Sequence, residues 1–434
     1  MDKWFGVSER GSTLKREFMA GVTTFLAMAY ILFVNGFVLS DAGMDPDAVF
    51  VATALAAAVA CLIMGLWANY PIGLAPGMGL NAFFTYTVVL GMEIPWETAL
   101  AAVLVSGILF VLLTVSGLRE RLINAIPQQL KMAAAAGIGL FIAFIGLKNA
   151  DIVIADDATL VALGELTNAG PLLAVFGVIL TAFFLVRGFY GAVFYGIVGT
   201  ALLGMVTGVV GLPEGVVSGI PSLEPTFGHA IYRLPDVLMA PELWLVVFTF
   251  LFVDVFDTAG TLIAVANKAG LLRDNKLPGA GRAMGADSVA TCVGAVLGTS
   301  NTTSYIESAS GVAAGGRTGL TAVVVAGLFL LSLFFSPLLR ITLDHPELTA
   351  PALIVVGVLM ASALGEINWQ KPEFAIPAFV TVITMPLTFS IATGLALGFV
   401  LYPLTMVFKG QWREVNPVMY GLFVVFIAYF IWGV

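Results

Sequence analysis

Four carboxylates stand in or beside strongly apolar sequence. Asp254 and Asp257 lie in LFVDVFDTAGTLIAVA (251–266), Asp287 near the start of 284–298, and Glu307 within GTSNTTSYIESASGVAAGGRTG (298–319). Three-residue spacing puts Asp254 and Asp257 on one helical face, one turn apart. No Lys or Arg falls within the apolar spans that carry them, 243–266, 284–298 and 301–314, to pair with them. Four bare carboxylates cannot all be ionised in one low-dielectric pocket, so at least one is expected to hold a proton at neutral pH. That chemistry suits a proton-coupled carrier. The competing reading of each acid is a helix cap or a Ser/Thr partner inside a bundle.

Asn81 follows a PGMG break and offers both a donor and an acceptor, either to a heterocycle or to broken backbone. The run Thr299, Ser300, Asn301, Thr302, Thr303, Ser304 mixes side chains that satisfy backbone with side chains that could line a site.

The elements that must hold these residues are membrane spans. Of 434 residues, 59% are hydrophobic and 11% charged, with a mean hydropathy of +1.01. Such a chain has too little polar residue to cover a soluble core. Apolar runs long enough to span occur at 17–39, 47–68, 73–91, 98–117, 129–147, 170–187, 189–210, 243–266, 284–298, 301–314, 318–337 and 349–364. The run 374–408 is long enough for two helices, breaking near Thr388–Gly394, and a further apolar segment follows at 416–433. The expectation is an all-α polytopic protein of fourteen spans plus that last segment. An acid at such depth costs roughly 3 kcal/mol or more and is usually functional.

With residues 1–16 in the cytoplasm, alternating sides leave only Lys148, Arg233 and Arg340 outside, out of nineteen Lys and Arg. Lys15, Arg16, Arg119, Arg121, Arg187, Lys268, Arg282, Arg317 and Arg413 fall inside, while Asp45, Asp156, Asp157, Glu214 and Glu224 collect outside. The charged start before the first run reads as a cytoplasmic segment and not as a cleavable leader.

The chain divides into two seven-span halves, 17–210 and 243–408. An odd number of spans inverts the second relative to the first. The third span of each half is interrupted, by Pro76 and three glycines in GLAPGMGLNAFF (73–84) and by polar residues in GTSNTTSYIES (298–308). Interrupted segments at matching positions point to a transporter binding site. Irregular backbone at that depth must line a cavity or be buried in protein.

Several patterns carry nothing further. Gly279–Gly285 (GAGRAMG) lacks the spacing and βαβ context of a dinucleotide loop, and Asn301-Thr302-Thr303 is a formal glycosylation sequon at membrane depth. There is no P-loop. Cys61 and Cys292 read as small core residues, and His229 and His345 fall in expected loops. The small-residue runs Ala133–Gly139 and Gly311–Gly316 read as close helix packing. An intramembrane enzyme would need a metal or nucleophile constellation, and the sequence offers none. No cofactor, metal or nucleic-acid partner is expected. A channel would differ in lacking saturable, gradient-driven accumulation.

Four stretches together, STLKREFMAGVTTFLAMAYILFVN (12–35), APGMGLNAFFTY (75–86), FDTAGTLIAVANKAGL (256–271) and GTSNTTSYIESASGVAAGGRTGLTAVV (298–324), resemble the AzgA-like purine permeases of the nucleobase–cation symporter 2 group. The similarity runs over essentially the whole chain. Gly36 departs from the pattern, where a proline is expected. The resemblance implies a uracil-permease-like fold, with a core domain from 17–117 and 243–337 and a gate domain from 129–210 and 349–408. It also implies short strands in segments three and ten, with substrate between them.

Carried over by motif, Asp254 and Glu307 match the substrate-binding acids. Asn81 and the Pro76–Gly79 backbone, including Gly77, Met78 and Gly79, match the other wall, with Thr303 and Ser304 beside Glu307. Asp257 and Asp287 become supporting or proton-linked acids. The implied activity is import of hypoxanthine, guanine or adenine across the cytoplasmic membrane by proton symport, core moving against gate. A sulfate-type anion carrier, or a xanthine or uracil carrier on the same fold, is the alternative. Gate-domain dimers are common in related permeases, which leaves a homodimer open here.

Overall fold

A computed structural model of the chain describes residues 2–117, 126–213, 215–241, 243–271 and 278–432. Arg119, Arg121 and Glu214, counted above in the charge bias, lie outside the described residues. The helices are α1 (Leu14–Met28), α2 (Ile31–Asp41), α3 (Pro46–Ile63), α4 (Met78–Ala82), α5 (Trp96–Ser116), α6 (Gln128–Asn149), α7 (Ala169–Val186) and α8 (Ala192–Thr207). After them come α9 (Leu243–Lys268), α10 (Ala280–Leu297), α11 (Ser308–Ala313), α12 (Gly319–Ser332), α13 (Pro337–Asp344), α14 (Ala350–Ala361), α15 (Pro372–Thr388), α16 (Ile391–Phe408) and α17 (Pro417–Trp432).

Among the described residues, eight helices are long and apolar enough to cross a membrane. A ninth span joins α12 to α13 through a 74° bend. Met78–Gly91, Ala192–Thr207, Pro372–Thr388 and Pro417–Ala428 are shorter apolar helices. The two stretches missing from this inventory are α10 and the segment that ends in α11, the most polar of the expected spans. Their polarity is tolerated because they are buried in protein: Asp287, Ser288 and Thr291 of α10 and Thr299 to Ser304 are all buried.

Local chemistry sets the boundaries. Thr13 caps α1 and Asp45 caps α3, whose first residue is Pro46 with its φ already helical. The expected break within 374–408 falls at Phe389, between α15 and α16, where the backbone turns left-handed at φ 51°. His229, expected in a loop, instead opens a one-turn helix, His229–Tyr232, because Gly228 takes the left-handed conformation that starts it. A hairpin of β2 (Val153–Asp156) and β3 (Leu160–Leu163) was not expected at all. Asp156 organises its turn, accepting from the backbone N–H of Ala158 and Thr159.

The centre of the molecule is a two-stranded sheet made from the two broken segments. β1 (Leu74–Pro76) pairs antiparallel with β4 (Thr302–Ser304), in the register Leu74–Ser304, Ala75–Thr303 and Pro76–Thr302. A strand pair this short needs further partners at its ends, and it has them. Gly77 N–H donates to the Asn301 carbonyl at 2.9 Å and Tyr305 N–H to the Gly73 carbonyl at 3.0 Å. Gly73 N–H donates to Ser308 Oγ at 3.0 Å, Leu74 N–H to Cys61 Sγ at 3.1 Å, and Tyr305 Oη to the Pro76 carbonyl at 2.5 Å. Backbone groups that lipid could not satisfy are thus paired within the protein. Each strand leads into a short helix, β1 into α4 and β4 into α11. Because the strands are antiparallel, the two helices leave the sheet in opposite directions.

Around this sheet, α9 and α10 pack on α5, and α12 packs on α1 and α3. The helices α6, α7, α8, α14, α15 and α16 pack mainly on one another. One close backbone crossing is between Gly65, just past α3, and Gly319 of α12. A Cβ on Gly319 would stand 2.0 Å from the Gly65 carbonyl oxygen, so only glycine fits.

Candidate functional site

Every acid singled out in the sequence lies beside the β1–β4 sheet, but the four have different surroundings. Asp287 is fully buried, with both oxygens occupied: Thr258 donates to Oδ2 at 2.7 Å and Ser304 to Oδ1 at 2.8 Å. It ties α9, α10 and β4 together. Asp254 is also buried; its Oδ2 accepts from Thr291 Oγ1 at 2.9 Å and Asn301 Nδ2 at 2.8 Å. Thr291 in turn is within reach of the Thr302 carbonyl at 3.1 Å, so this acid also fixes β4. The other oxygen, Oδ1, has no hydrogen-bond partner.

Asp257 and Glu307 differ in being reachable. Asp257 is exposed and Glu307 half-buried. Tyr30, at the junction of α1 and α2, donates to Glu307 Oε1 at 2.8 Å. Thr303 is in hydrogen-bonding reach of the Asp257 carboxylate. No Lys or Arg among the described residues forms an ion pair with any of the four acids.

The exposure of Asp257 belongs to a stripe. Along α9, Asp257, Gly260, Ile263, Ala264, Asn267 and Lys268 are all exposed, at three- and four-residue spacing. A Cβ added to Gly260 would meet open space. A stripe carrying a carboxylate and an amide at this depth is untenable against lipid, so it lines an aqueous opening from the strand pair towards the Lys268 end of the helix. Phe389 sits against Tyr86 (ring centroids 6.2 Å), Phe141 (5.5 Å) and Phe144 (5.4 Å), with Lys148 Nζ 5.3 Å above its ring. Thr87 Oγ1 donates to its carbonyl at 3.0 Å.

The β1 side supplies the second wall. Asn81 is buried in α4; its Oδ1 accepts from the Ser300 hydroxyl, while its Nδ2 has no partner. Gly77 faces Thr303, and a Cβ there would fall 2.9 Å from Thr303 Oγ1. Gly79 faces α6, where a Cβ would meet Ile138 at 2.5 Å. Met78 is buried at the start of α4. Asn301 Oδ1 and Thr302 Oγ1 also lack partners. The site therefore presents unmatched acceptors (Asp254 Oδ1, Asn301 Oδ1), an unmatched donor (Asn81 Nδ2) and two accessible carboxylates. A neutral, planar molecule with its own N–H donors and acceptors complements this set, whereas an anion does not.

Sequence reasoning missed Tyr30, Thr258, Thr291 and Lys131. Tyr30 is a single hydroxyl in the aliphatic stretch AMAYILF, and that isolation was the available signal. Lys131 begins α6, outside the acid-bearing spans, yet its Nζ lies 5.3 Å over the ring of Phe256, the neighbour of Asp257.

Comparison with known proteins agrees with this architecture. The Permease family (Xan_ur_permease) matches residues 15–397. The guanine/hypoxanthine permease PbuG of Bacillus subtilis is 54% identical over 440 residues, covering 99% of each chain. The adenine permease AdeQ of Escherichia coli is 44% identical, covering 96% of this chain and 93% of its own. Among solved structures, the transmembrane domain of the cyanobacterial bicarbonate transporter BicA matches with a TM-score of 0.66 at 15% identity, covering 89% of this chain and 97% of that one. That likeness concerns the fold.

Proposed function

This chain belongs to the Permease family, and from that premise we propose that it imports purine nucleobases, hypoxanthine and guanine foremost and adenine among its candidates. It is a transporter and not an enzyme. The observation that carries the substrate class is the pair of accessible carboxylates, Glu307 and Asp257, with no cationic partner at the sheet. A purine base presents adjacent N–H donors, for which a carboxylate is a two-oxygen acceptor. Its carbonyl or ring nitrogens would take the Asn81 amide and the first N–H groups of α4. The same acids disfavour a sulfate-type anion.

In this reading Glu307 and Asp257 meet the base first. Asp254 offers its unmatched Oδ1 once the base is seated, and Asp287 holds β4 in place. Met78, Gly79 and Ser304 complete the walls beside Gly77 and Thr303. A proton travels with the base, carried within the same acid cluster, because four carboxylates without cations cannot all be charged.

The mechanism we propose is movement of a core (17–117 and 243–337) against a gate (129–210 and 349–408), across fourteen spans arranged as two inverted repeats. The packing of α6, α7, α8 and α14 to α16 among themselves supports that division. Residues 1–16 and the Lys268 end of α9 then face the cytoplasm of a multi-pass protein in the cytoplasmic membrane, and a second copy of the chain contacts the gate face. Arg340, assigned outside, pairs at 2.9 Å with Asp47 at the start of the span 47–68, which is consistent with those two ends lying on one side.

Uptake of labelled guanine, hypoxanthine and adenine into cells lacking their own purine carriers tests the proposal. Unlabelled purines should compete, xanthine, uracil and sulfate should compete poorly, and a protonophore should abolish accumulation. Undiminished accumulation without a proton gradient would overturn the coupling; competition by sulfate alone would overturn the substrate class.

A further inference from the structure

Away from the acids, a second cavity of about 590 Å³ opens at the Lys268 end of α9. Among the described residues, its wall carries Arg10, Arg282 and Arg317 and one acid, Glu9. Two of the arginines are fixed in place. Arg10 Nη1 donates to the carbonyls of Asn69 (2.8 Å) and Arg317 (3.0 Å), and Arg317 Nη1 to those of Val312 (2.6 Å) and Gly316 (2.7 Å). Neutral carbonyls hold these groups without cancelling their charge. Arg282 sits exposed in the first turn of the 18-residue α10, whose N-cap Gly279 brings no side chain. Among the described residues, none of the three forms an ion pair with a carboxylate.

Three guanidinium-bearing residues lining one space repel each other, an anion would relieve that repulsion, and the positive end of α10 adds to the same potential. Among the described residues, three positive charges against one negative suit a dianion. Guanidinium forks match phosphate oxygens, and a phosphate monoester carries about −1.5 to −2 at neutral pH. The volume lies in the range of small-molecule sites, roughly 300–1,000 Å³, and exceeds what a bare phosphate fills.

We propose that this cavity is a binding site for a phosphate monoester, separate from the transport site. The wall draws on the N-terminal segment, the Asn69–Tyr70 link into β1, the end of α9 and the Arg317 link between α11 and α12. An occupant would join the inner ends of all the elements that carry the acids, which makes the site regulatory in kind.

The test uses the full-length protein in nanodiscs of phosphatidylcholine, with thermal shift and calorimetry against inorganic phosphate, GMP and guanosine. A second set of discs contains phosphatidylglycerol, to distinguish a lipid headgroup from a soluble monoester. Arg282→Gln is the variant, since among the described residues that guanidinium makes no hydrogen bond or ion pair. GMP should bind and guanosine should not, and Arg282→Gln should weaken GMP at least ten-fold without changing its melting temperature or its basal guanine uptake. Loss of GMP binding only in phosphatidylglycerol discs would keep the phosphate site and name the lipid as its natural occupant. Equal GMP affinity in Arg282→Gln, equal binding of guanosine, or no phosphate-dependent binding in either disc would overturn the proposal.

Discussion

Replacing Glu307 by glutamine is the most direct probe of the transport site. The side chain keeps its length and keeps one oxygen for the Tyr30 hydroxyl, now 2.8 Å from Oε1. It loses the charge, and it turns the second oxygen into an amide that opposes an incoming N–H. Hydrogen bonds to charged groups contribute about 1.5–3 kcal/mol, against about 0.5–1.5 kcal/mol for neutral ones. Losing one charge-assisted bond and gaining a donor–donor contact should therefore cost about 2–3 kcal/mol. That corresponds to roughly 30- to 150-fold in apparent affinity for guanine.

Tyr30→Phe removes a bond that positions Glu307 and none that touches the base, so its indirect effect on binding should be about 1 kcal/mol, weakening uptake roughly five-fold. Because Tyr30 acts through Glu307, the double variant should fall short of the product of the two effects. The assay is initial-rate uptake over a range of guanine concentrations, normalised to the folded protein in the membrane. Glu307→Gln transport within two-fold of the parent, at equal abundance and stability, would refute the assignment of Glu307 to the substrate.

Two further predictions concern the frame that holds the site. Gly319→Ala should cost about 3 kcal/mol or more, since the new methyl would overlap a backbone carbonyl that cannot rotate away; a melting temperature within a degree of the parent, read by size-exclusion after heating, would contradict the close crossing. Glu17→Ala should cost about 2–4 kcal/mol, because the buried carboxylate accepts from Arg317 N–H, Thr318 N–H and Thr321 Oγ1 and each would be left unmatched. Its signature would be early unfolding with an unchanged guanine affinity in the protein that remains folded.

The broad architecture was legible because its signals are long and redundant: hydropathy over about 20 residues and two interrupted segments at matching positions. The strand pairing itself came only with the family resemblance, since three-residue strands such as Leu74–Pro76 have no periodicity to read. The acids show where sequence reasoning stops. Asp254 and Asp257 share a face by spacing, yet three residues turn a helix through about 300°, leaving them some 60° apart. Neighbouring helices decide what that offset means: α10 and Asn301 enclose Asp254, while Asp257 faces the opening. The roles of Tyr30 and Lys131 depend on helices brought together from distant parts of the chain, and neither has a local signature.

The β1–β4 sheet has a consequence for how the protein is made. Pro76 and Tyr305, which join across it, are 229 residues apart. At roughly 5–20 residues per second, a ribosome needs roughly 10–50 s to bridge that interval. Throughout that time the first half exists without its counterpart, and the Gly73–Gly77 backbone has nothing to pair with. It cannot be released into lipid in that condition. Segment three must therefore wait, shielded by the insertion machinery or by water, until segment ten arrives. The substrate site is thus completed only in the second half of synthesis, when segment ten arrives, and the first half, expressed alone, should remain in the custody of membrane chaperones.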